Sequence, residues 1–168
     1  SPLMTLHSST SIFMVRLSDL PDYERKHLLE KNMPPLGALP WCVSNKPLSD
    51  KRIALITTAG LHFRGDNAFD FADPTFRPIA TTDNANDLVM SHSSANFDRS
   101  GFVEDVNLVF PLQRFQELLA EQTIGSLADV HYSFMGAGLM PEMYENSAAQ
   151  VAGLLKKDQV DAVFLTPV

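Results

Sequence analysis

The chain has 168 residues, 45% of them hydrophobic and 20% charged, enough for one buried core of ordinary domain size. Its 20 acidic and 13 basic residues give a formal charge of −7, which argues against nucleic acid as a partner, because that affinity needs clustered Lys and Arg to neutralise phosphates. The single cysteine, Cys42, leaves no internal disulfide and no Cys-rich metal cluster, and fits a reducing, cytoplasmic setting.

No run approaches the roughly 20 apolar residues that span a bilayer. The stretch from Pro2 to Leu17 is broken by His7, Ser8, Ser9, Thr10 and Ser11, so neither a membrane segment nor a signal peptide is expected. Ser1-Pro2-Leu3 ahead of Met4 reads as an expression remnant. Residues 1–50 are expected to form an N-terminal helix and a proline-rich connector packed on a domain built from residues 51–168. Asp19-Leu20-Pro21-Asp22 supplies a cap and a first-turn proline for a helix over Tyr23 to Lys31. Pro34, Pro35, Gly37, Pro40 and Pro47 then surround Trp41, a density of fixed φ angles that no regular element tolerates.

Arg52 to Thr58 is a β-branched apolar run ending at Ala59-Gly60, the pattern of a strand covered on both faces. From Leu61 to Asn107 the chain is polar and irregular, with strand-like pieces only at Thr75 to Ala80 and Asp87 to Ser91; so long an insertion is usually functional. Pro111 opens a helix that sets Leu112, Phe115, Leu118 and Leu119 on one face. Val130 to Met135 reads as a strand closed by Gly136-Ala137-Gly138. A last helix, from Pro141 or Glu142 to Lys157, turns Met143, Ala148, Val151, Leu154 and Leu155 inward, and Val160 to Val168 reads as a buried closing strand. This alternation predicts a single-domain α/β fold: three layers, a mostly parallel sheet with helices on both faces, Rossmann-like or flavodoxin-like.

Open parallel sheets bind ligands outside the carboxyl ends of their strands. Thr57, Thr58, Gly60, His62, Ser91, His92, Gly136 and Thr166 all fall at such ends and are the candidate site: hydroxyls, glycines that admit a ligand to the backbone, and His92 and His62 as proton donors. The glycines serve equally as turn residues, and lone histidines are more often structural; His131, inside a strand, is read that way. No GxGxxG or GxxxxGKS loop is present, so no nucleotide site is expected. Asp98, Glu104 and Asp105 with His92 could make a hard-metal or acid/base cluster, against surface charge and a capping role for Asp105. Cys42, in the connector beside Trp41, reads as a thiol without a catalytic role.

Several ordered pieces resemble one family. These are Lys46-Pro47-Leu48, Arg52 to His62, Asp73-Pro74-Thr75-Phe76-Arg77, Ser91-His92 with Phe97-Asp98, Asp105 to Pro111, Ile124-Gly125 with His131 to Gly136, and Val160 to Thr166. They are similar, from about Trp41 onward, to the selenoprotein B family of glycine, sarcosine, betaine and D-proline reductases. The resemblance implies a selenocysteine, or a cysteine, following the strand that resembles Val160 to Thr166, so the chain is expected to stop just before its nucleophile and to be inactive as it stands. It further implies partner reductase subunits, one carrying a pyruvoyl group that holds an amine, and reductive cleavage of a carbon–nitrogen bond by attack of the selenolate. The chain itself is expected to hold neither a cofactor nor a metal. Two other readings stay open: a binding or assembly subunit without a nucleophile, and a metal- or His92-dependent hydrolase or lyase. A closing strand with no helix after it also predicts exposed apolar surface and, with it, a homodimer.

Overall fold

A computed structural model describes residues 16–31, 35, 37–38, 42–94, 97 and 99–168. Trp41 and Asp98, both singled out above, lie outside them, as does the segment before Arg16. Residues 1–40 and 41–168 are separate compact units. The first contains helix α1 (Asp22–Glu30), which buries none of its residues and carries an Asp22–Arg25 ion pair on its first turn.

The second unit is an α/β fold around a five-stranded sheet. Strand β1 (Arg52–Thr57) is its centre and is flanked on both edges. One edge takes β5 (Ser126–Leu127) near its start and β6 (Val130–Phe134) at its end; the other takes β7 (Ala162–Thr166) along its whole length, all parallel to β1. Strand β3 (Phe76–Ala80) closes the far side of β6 in the antiparallel sense. A separate antiparallel pair joins β2 (Leu61–Phe63) to β4 (Leu88–Met90). The sheet is thus mixed and mostly parallel, as its apolar strands predict.

Side-chain alternation sorts the core into two layers. Ile53, Leu55, Ile79 and Phe110 pack with Leu112 and Phe115 of α3 (Leu112–Ala120) on one face. On the other, Ile56, Tyr132 and Phe134 pack with Val151 and Leu155 of α4 (Glu145–Lys157). Full burial of Leu55, Leu61 and Phe110 contributes about 2 kcal/mol apiece by removal from water.

Several expectations are corrected. The last helix starts later than its sequence suggests, because Pro141 to Tyr144 forms a 3-10 turn before α4. Met143, Ala148, Leu154 and Leu119 are exposed, so the helices bury narrower stripes than their apolar spacing implies. Three elements unforeseen in the sequence, β2, β5 and the short helix α2 (Ser100–Glu104), are too short to display a period. The largest correction is β7. It reads as a buried strand, yet Val163, Phe164 and Leu165 are 38%, 45% and 64% exposed, because β7 pairs with β1 on one side and, among the described residues, with no strand on the other. The opposite margin of the sheet is protected differently: β3 carries Pro78, which lacks an amide donor, and Arg77, whose guanidinium lies 4.2 Å from the Phe69 ring centroid and bonds Asp73, Asn67 and Ala68 of the preceding loop.

The amino-terminal rim of the sheet is locked by charge. Arg52 donates to Asp158 Oδ1 at 2.5 Å, to Asp129 Oδ1 at 2.8 Å and to the Leu127 carbonyl at 2.5 Å, while Asp161 receives the Arg52 backbone N–H at 2.9 Å and Lys46 Nζ at 2.7 Å. One side chain therefore fastens β1, the β5–β6 turn and the end of α4. Arg52→Met should lower the free energy of unfolding by about 2 kcal/mol, since charged hydrogen bonds are lost while Asp158 stays half-buried; urea titration of the chain checks this.

Candidate functional site

At the other rim the carboxyl ends of β1, β6 and β7 come together, and short hydrogen bonds gather them there. Thr58 N donates to the Thr166 carbonyl at 3.1 Å, Gly136 N donates to the Thr58 carbonyl at 2.9 Å, and Val168 N donates to Thr58 Oγ1 at 2.8 Å. Thr58 is thus the common partner of both flanking strands. Gly136 has no room for a side chain, because a Cβ there would lie 2.9 Å from Thr58 Cβ, carbonyl O and Oγ1. Gly60, at φ +65, turns the chain out of β1: its N–H reaches the Phe134 carbonyl at 2.9 Å, and its own carbonyl accepts from Ser91 N at 2.9 Å.

The sheet divides the predicted residues into two groups. Thr58 and Gly136 line a cavity of about 580 Å³ on the α4 side, whose walls are otherwise almost wholly apolar: Ile56, Phe134, Leu139, Val151, Leu155 and the end segment Pro167-Val168. Tyr144, at the start of α4, also lines it and donates its hydroxyl to the Met135 carbonyl; burial, with Asp73 adding, raises its phenol above the ordinary range, so it stays a donor.

Thr57, Thr166, His62, Ser91 and His92 do not line that cavity. Thr57 and Thr166 are register partners on the α3 side; Thr57 Oγ1 accepts from Ala59 N at 3.1 Å, whereas Thr166 Oγ1 is buried without a hydrogen-bond partner. Leu61 N finds Ser133 Oγ at 2.7 Å, which docks β2 onto β6. His62 on β2 is 6% exposed, with Nδ1 2.8 Å from the Phe63 carbonyl and Nε2 2.7 Å from Ser91 Oγ. His92 is 4% exposed beside Phe97, with ring centroids 4.9 Å apart. Its Nδ1 accepts from Ser94 N at 3.3 Å, which puts the proton on Nε2, an atom with no partner of its own. Burial, helped by nearby Arg99, holds its pKa below the ordinary histidine value. A neutral ring with an unmatched N–H can donate a hydrogen bond to an arriving acceptor but is poorly suited to carry a proton as an imidazolium.

The acidic candidates behave otherwise. Asp105 caps the 3-10 turn at Val106–Leu108, accepting from Asn107 N at 2.9 Å and Nδ2 at 2.8 Å, and these bonds lower its pKa. Among the described residues no three His, Cys, Asp or Glu side chains come together as metal ligands. Asp73, quoted above only for the resemblance and not as a site residue, acts on the cavity through its charge on Tyr144. Burial raises its pKa, but the Thr75 hydroxyl and backbone N–H, then Arg77, outweigh that and leave it below the usual carboxylate range. The Asp73-Pro74-Thr75 turn followed by Arg77 was the available signal.

Comparison with known proteins identifies the family. Residues 23–168 match the family model described as glycine/sarcosine/betaine reductase selenoprotein B. The D-proline reductase subunit gamma of Acetoanaerobium sticklandii is 35% identical over 128 residues, 75% of this chain and 52% of that protein. The glycine reductase complex component B subunit gamma of Symbiobacterium thermophilum is 30% identical over 141 residues, 82% of this chain and 33% of that protein. The sarcosine reductase complex component B subunit beta of Peptoclostridium acidaminophilum is 28% identical over 143 residues, again 82% of this chain and 32% of the relative. The chain therefore spans about half the length of the first of these and a third of the others. No solved structure matches. The family match covers nearly all of the chain, and the residues that carried the resemblance include those that build the carboxyl rim; the chain belongs to the glycine/sarcosine/betaine reductase selenoprotein B family.

Proposed function

We propose that the chain supplies the α/β portion of a component B-type reductase subunit that handles a small amine or amino-acid-like substrate during reductive carbon–nitrogen cleavage. The observation that carries this is the meeting of Thr58, Gly136 and Val168 in the wall of an apolar cavity of about 580 Å³, at the strand ends where α/β sheets take their ligands. The only sulfur nucleophile in the sequence is Cys42, an exposed residue in the segment that Lys46 ties to the amino rim. The selenium or sulfur atom is therefore proposed to reach the carboxyl rim from outside residues 1–168, without which the chain is proposed to have no reductase activity. A dry, apolar wall next to Pro167 and Val168 suits such an atom, since low polarity strengthens attack by a desolvated anion. When present, that atom supplies the electrons and the partner's pyruvoyl group holds the amine. The chain's own part is to shape the pocket, exclude water through Val151, Leu155 and Phe134, and present Thr58 and the strand-end backbone to the substrate's polar end.

The test is assembly of the chain with its companion subunits and assay of dithiol-dependent reduction of D-proline, glycine, sarcosine and betaine. Ala148→Trp places an indole at the cavity wall from an exposed position of α4. Turnover of the preferred amine should fall at least tenfold with an unchanged melting temperature; full activity in this variant removes the cavity from the proposal.

A second reading, an assembly subunit without chemistry of its own, draws on the exposed apolar residues of β7. Light scattering separates its forms: a concentration-dependent dimer supports self-association through this strand, and a clean monomer removes it.

A further inference from the structure

Ser91 and His62 are held in the order of a nucleophile and its base. The Phe63 carbonyl can only accept, so His62 Nδ1, 2.8 Å away, carries the ring proton. Nε2 is then a lone pair, and Ser91 Oγ at 2.7 Å must donate to it. The imidazole is fixed by its place on β2 and by the Phe69 ring, whose centroid lies 6.4 Å from its own. Hydroxyl, base and an orienting acceptor on the base's far nitrogen make up the three-part arrangement that activates a serine. The contrast with His131 is informative. There both nitrogens are engaged, Nδ1 by the Leu55 backbone N–H and Nε2 by Thr81, so no lone pair is left to take a hydroxyl proton.

A fourth group follows Ser91 directly in the chain. The backbone N–H of His92, the residue after Ser91, has no acceptor among the described residues. Gly60 faces it without a side chain: a Cβ there would lie 3.1 Å from His92 N and 3.3 Å from His92 Cα. The Met135 methyl would lie 3.3 Å from the same Cβ, so glycine here keeps a tightly packed spot beside the amide free of a side chain of its own, and a backbone N–H following the nucleophile is the kind of donor an oxyanion hole uses.

We propose that Ser91, activated by His62, is a nucleophile toward the carbonyl carbon of a small ester or thioester, a site separate from the apolar cavity and independent of the reductase reading. Ser91 Oγ bonds to the carbonyl carbon while its proton passes to His62 Nε2 and the carbonyl π pair moves onto oxygen, facing the His92 N–H. Collapse breaks the bond to the alcohol or thiol, which leaves with the proton from His62. Water then repeats the sequence on the acyl-serine, releasing a carboxylic acid and restoring Ser91. No electrons are gained or lost.

The experiment treats the full chain with a fluorophosphonate and maps the adduct by mass spectrometry. One phosphonyl group is expected on Ser91 and none in Ser91→Ala, while Ser93→Ala reacts as the parent does. His62→Gln should react at least ~100-fold more slowly, the usual worth of a general base. The parent chain gives the decisive result without any variant: absence of an adduct on Ser91 overturns the proposal. So does an unchanged rate at Ser91 in a His62→Gln protein whose amide spectrum shows it folded.

Discussion

Replacing His131 with Phe is expected to lower stability by about 3 kcal/mol at pH 7 and to flatten its pH dependence between pH 4 and 6.5. The reason lies in a fault in the sheet. On the edge that β1 shares with β5 and β6, Ile53 pairs with Leu127 and Ile56 with Tyr132, so two residues of β1 face four of the neighbouring segment. Leu55 N–H, buried there, has no backbone acceptor and donates instead to His131 Nδ1 at 3.0 Å; His131 Nε2–H donates to Thr81 Oγ1 at 3.0 Å, and Thr81 passes its own proton to the Ala128 carbonyl. Phe fills much of the same volume but orphans a buried N–H, which costs about 1–3 kcal/mol, and breaks the chain to Ala128.

The pH term follows from the same burial. Desolvation dominates at His131 and, with Asp158 opposing and Arg52 assisting, lowers its pKa to about 4. Against an unfolded value of about 6.5, the unfolded chain binds more protons throughout that interval. The stabilisation is complete above pH 6.5 and is lost as pH falls toward 4, by up to about 3 kcal/mol at 1.36 kcal/mol per pH unit. His92, also depressed, acts in the same direction. Asp73, Asp105 and Asp161 have pKa values lowered from 3.8, so their contribution is lost only below that interval and does not mask the histidines. Urea titrations at several pH values should show the parent and His131→Phe curves converging as pH falls; parallel curves would remove His131 from this account.

Gly136→Ala is expected to cost about 2 kcal/mol and to loosen the carboxyl rim. Its new Cβ would meet three atoms of Thr58 at 2.9 Å, inside any tolerable contact, and overpacking of this kind costs about 1–3 kcal/mol. Thr58 is the residue that must yield, and Thr58 Oγ1 also holds the Val168 N–H. The strain therefore passes from β6 through β1 to the end of β7. Amide exchange by NMR should show Val168 opening roughly tenfold faster, equivalent to about 1.4 kcal/mol of local stability. Unchanged exchange at Val168 would mean that the three strand ends are not mechanically joined.

The course of β1, α3, β6, α4 and β7 was legible because each is a long apolar run or a clear helical stripe, and their alternation gave the parallel core and its carboxyl rim. Thr58, Gly136 and Thr166 could be placed at that rim from strand ends alone. Their division between faces could not, since face depends on register, and the register of β6 depends on the two-for-four mismatch that His131 fills. The His62–Ser91 contact spans 29 positions and exists only because β2 and β4 pair; the strand-like run at Asp87 to Ser91 marked β4, but the three residues of β2 show no recognisable pattern. Arg52 and Arg77 were equally hidden: a charged residue at a strand start names no partner until the fold brings Asp158 or Phe69 to it. The burial of β7 was misjudged because an apolar run states what a strand prefers, not whether a neighbour is there to provide it.

That unequal treatment of the two margins gives the sheet a direction. Among the described residues, β3 carries proline and a clamped loop while β7 is paired on one side only, so pairing through hydrogen-bonded strands would have one margin to use and no second from which to continue. Assemblies built this way close after a single addition instead of growing into fibrils.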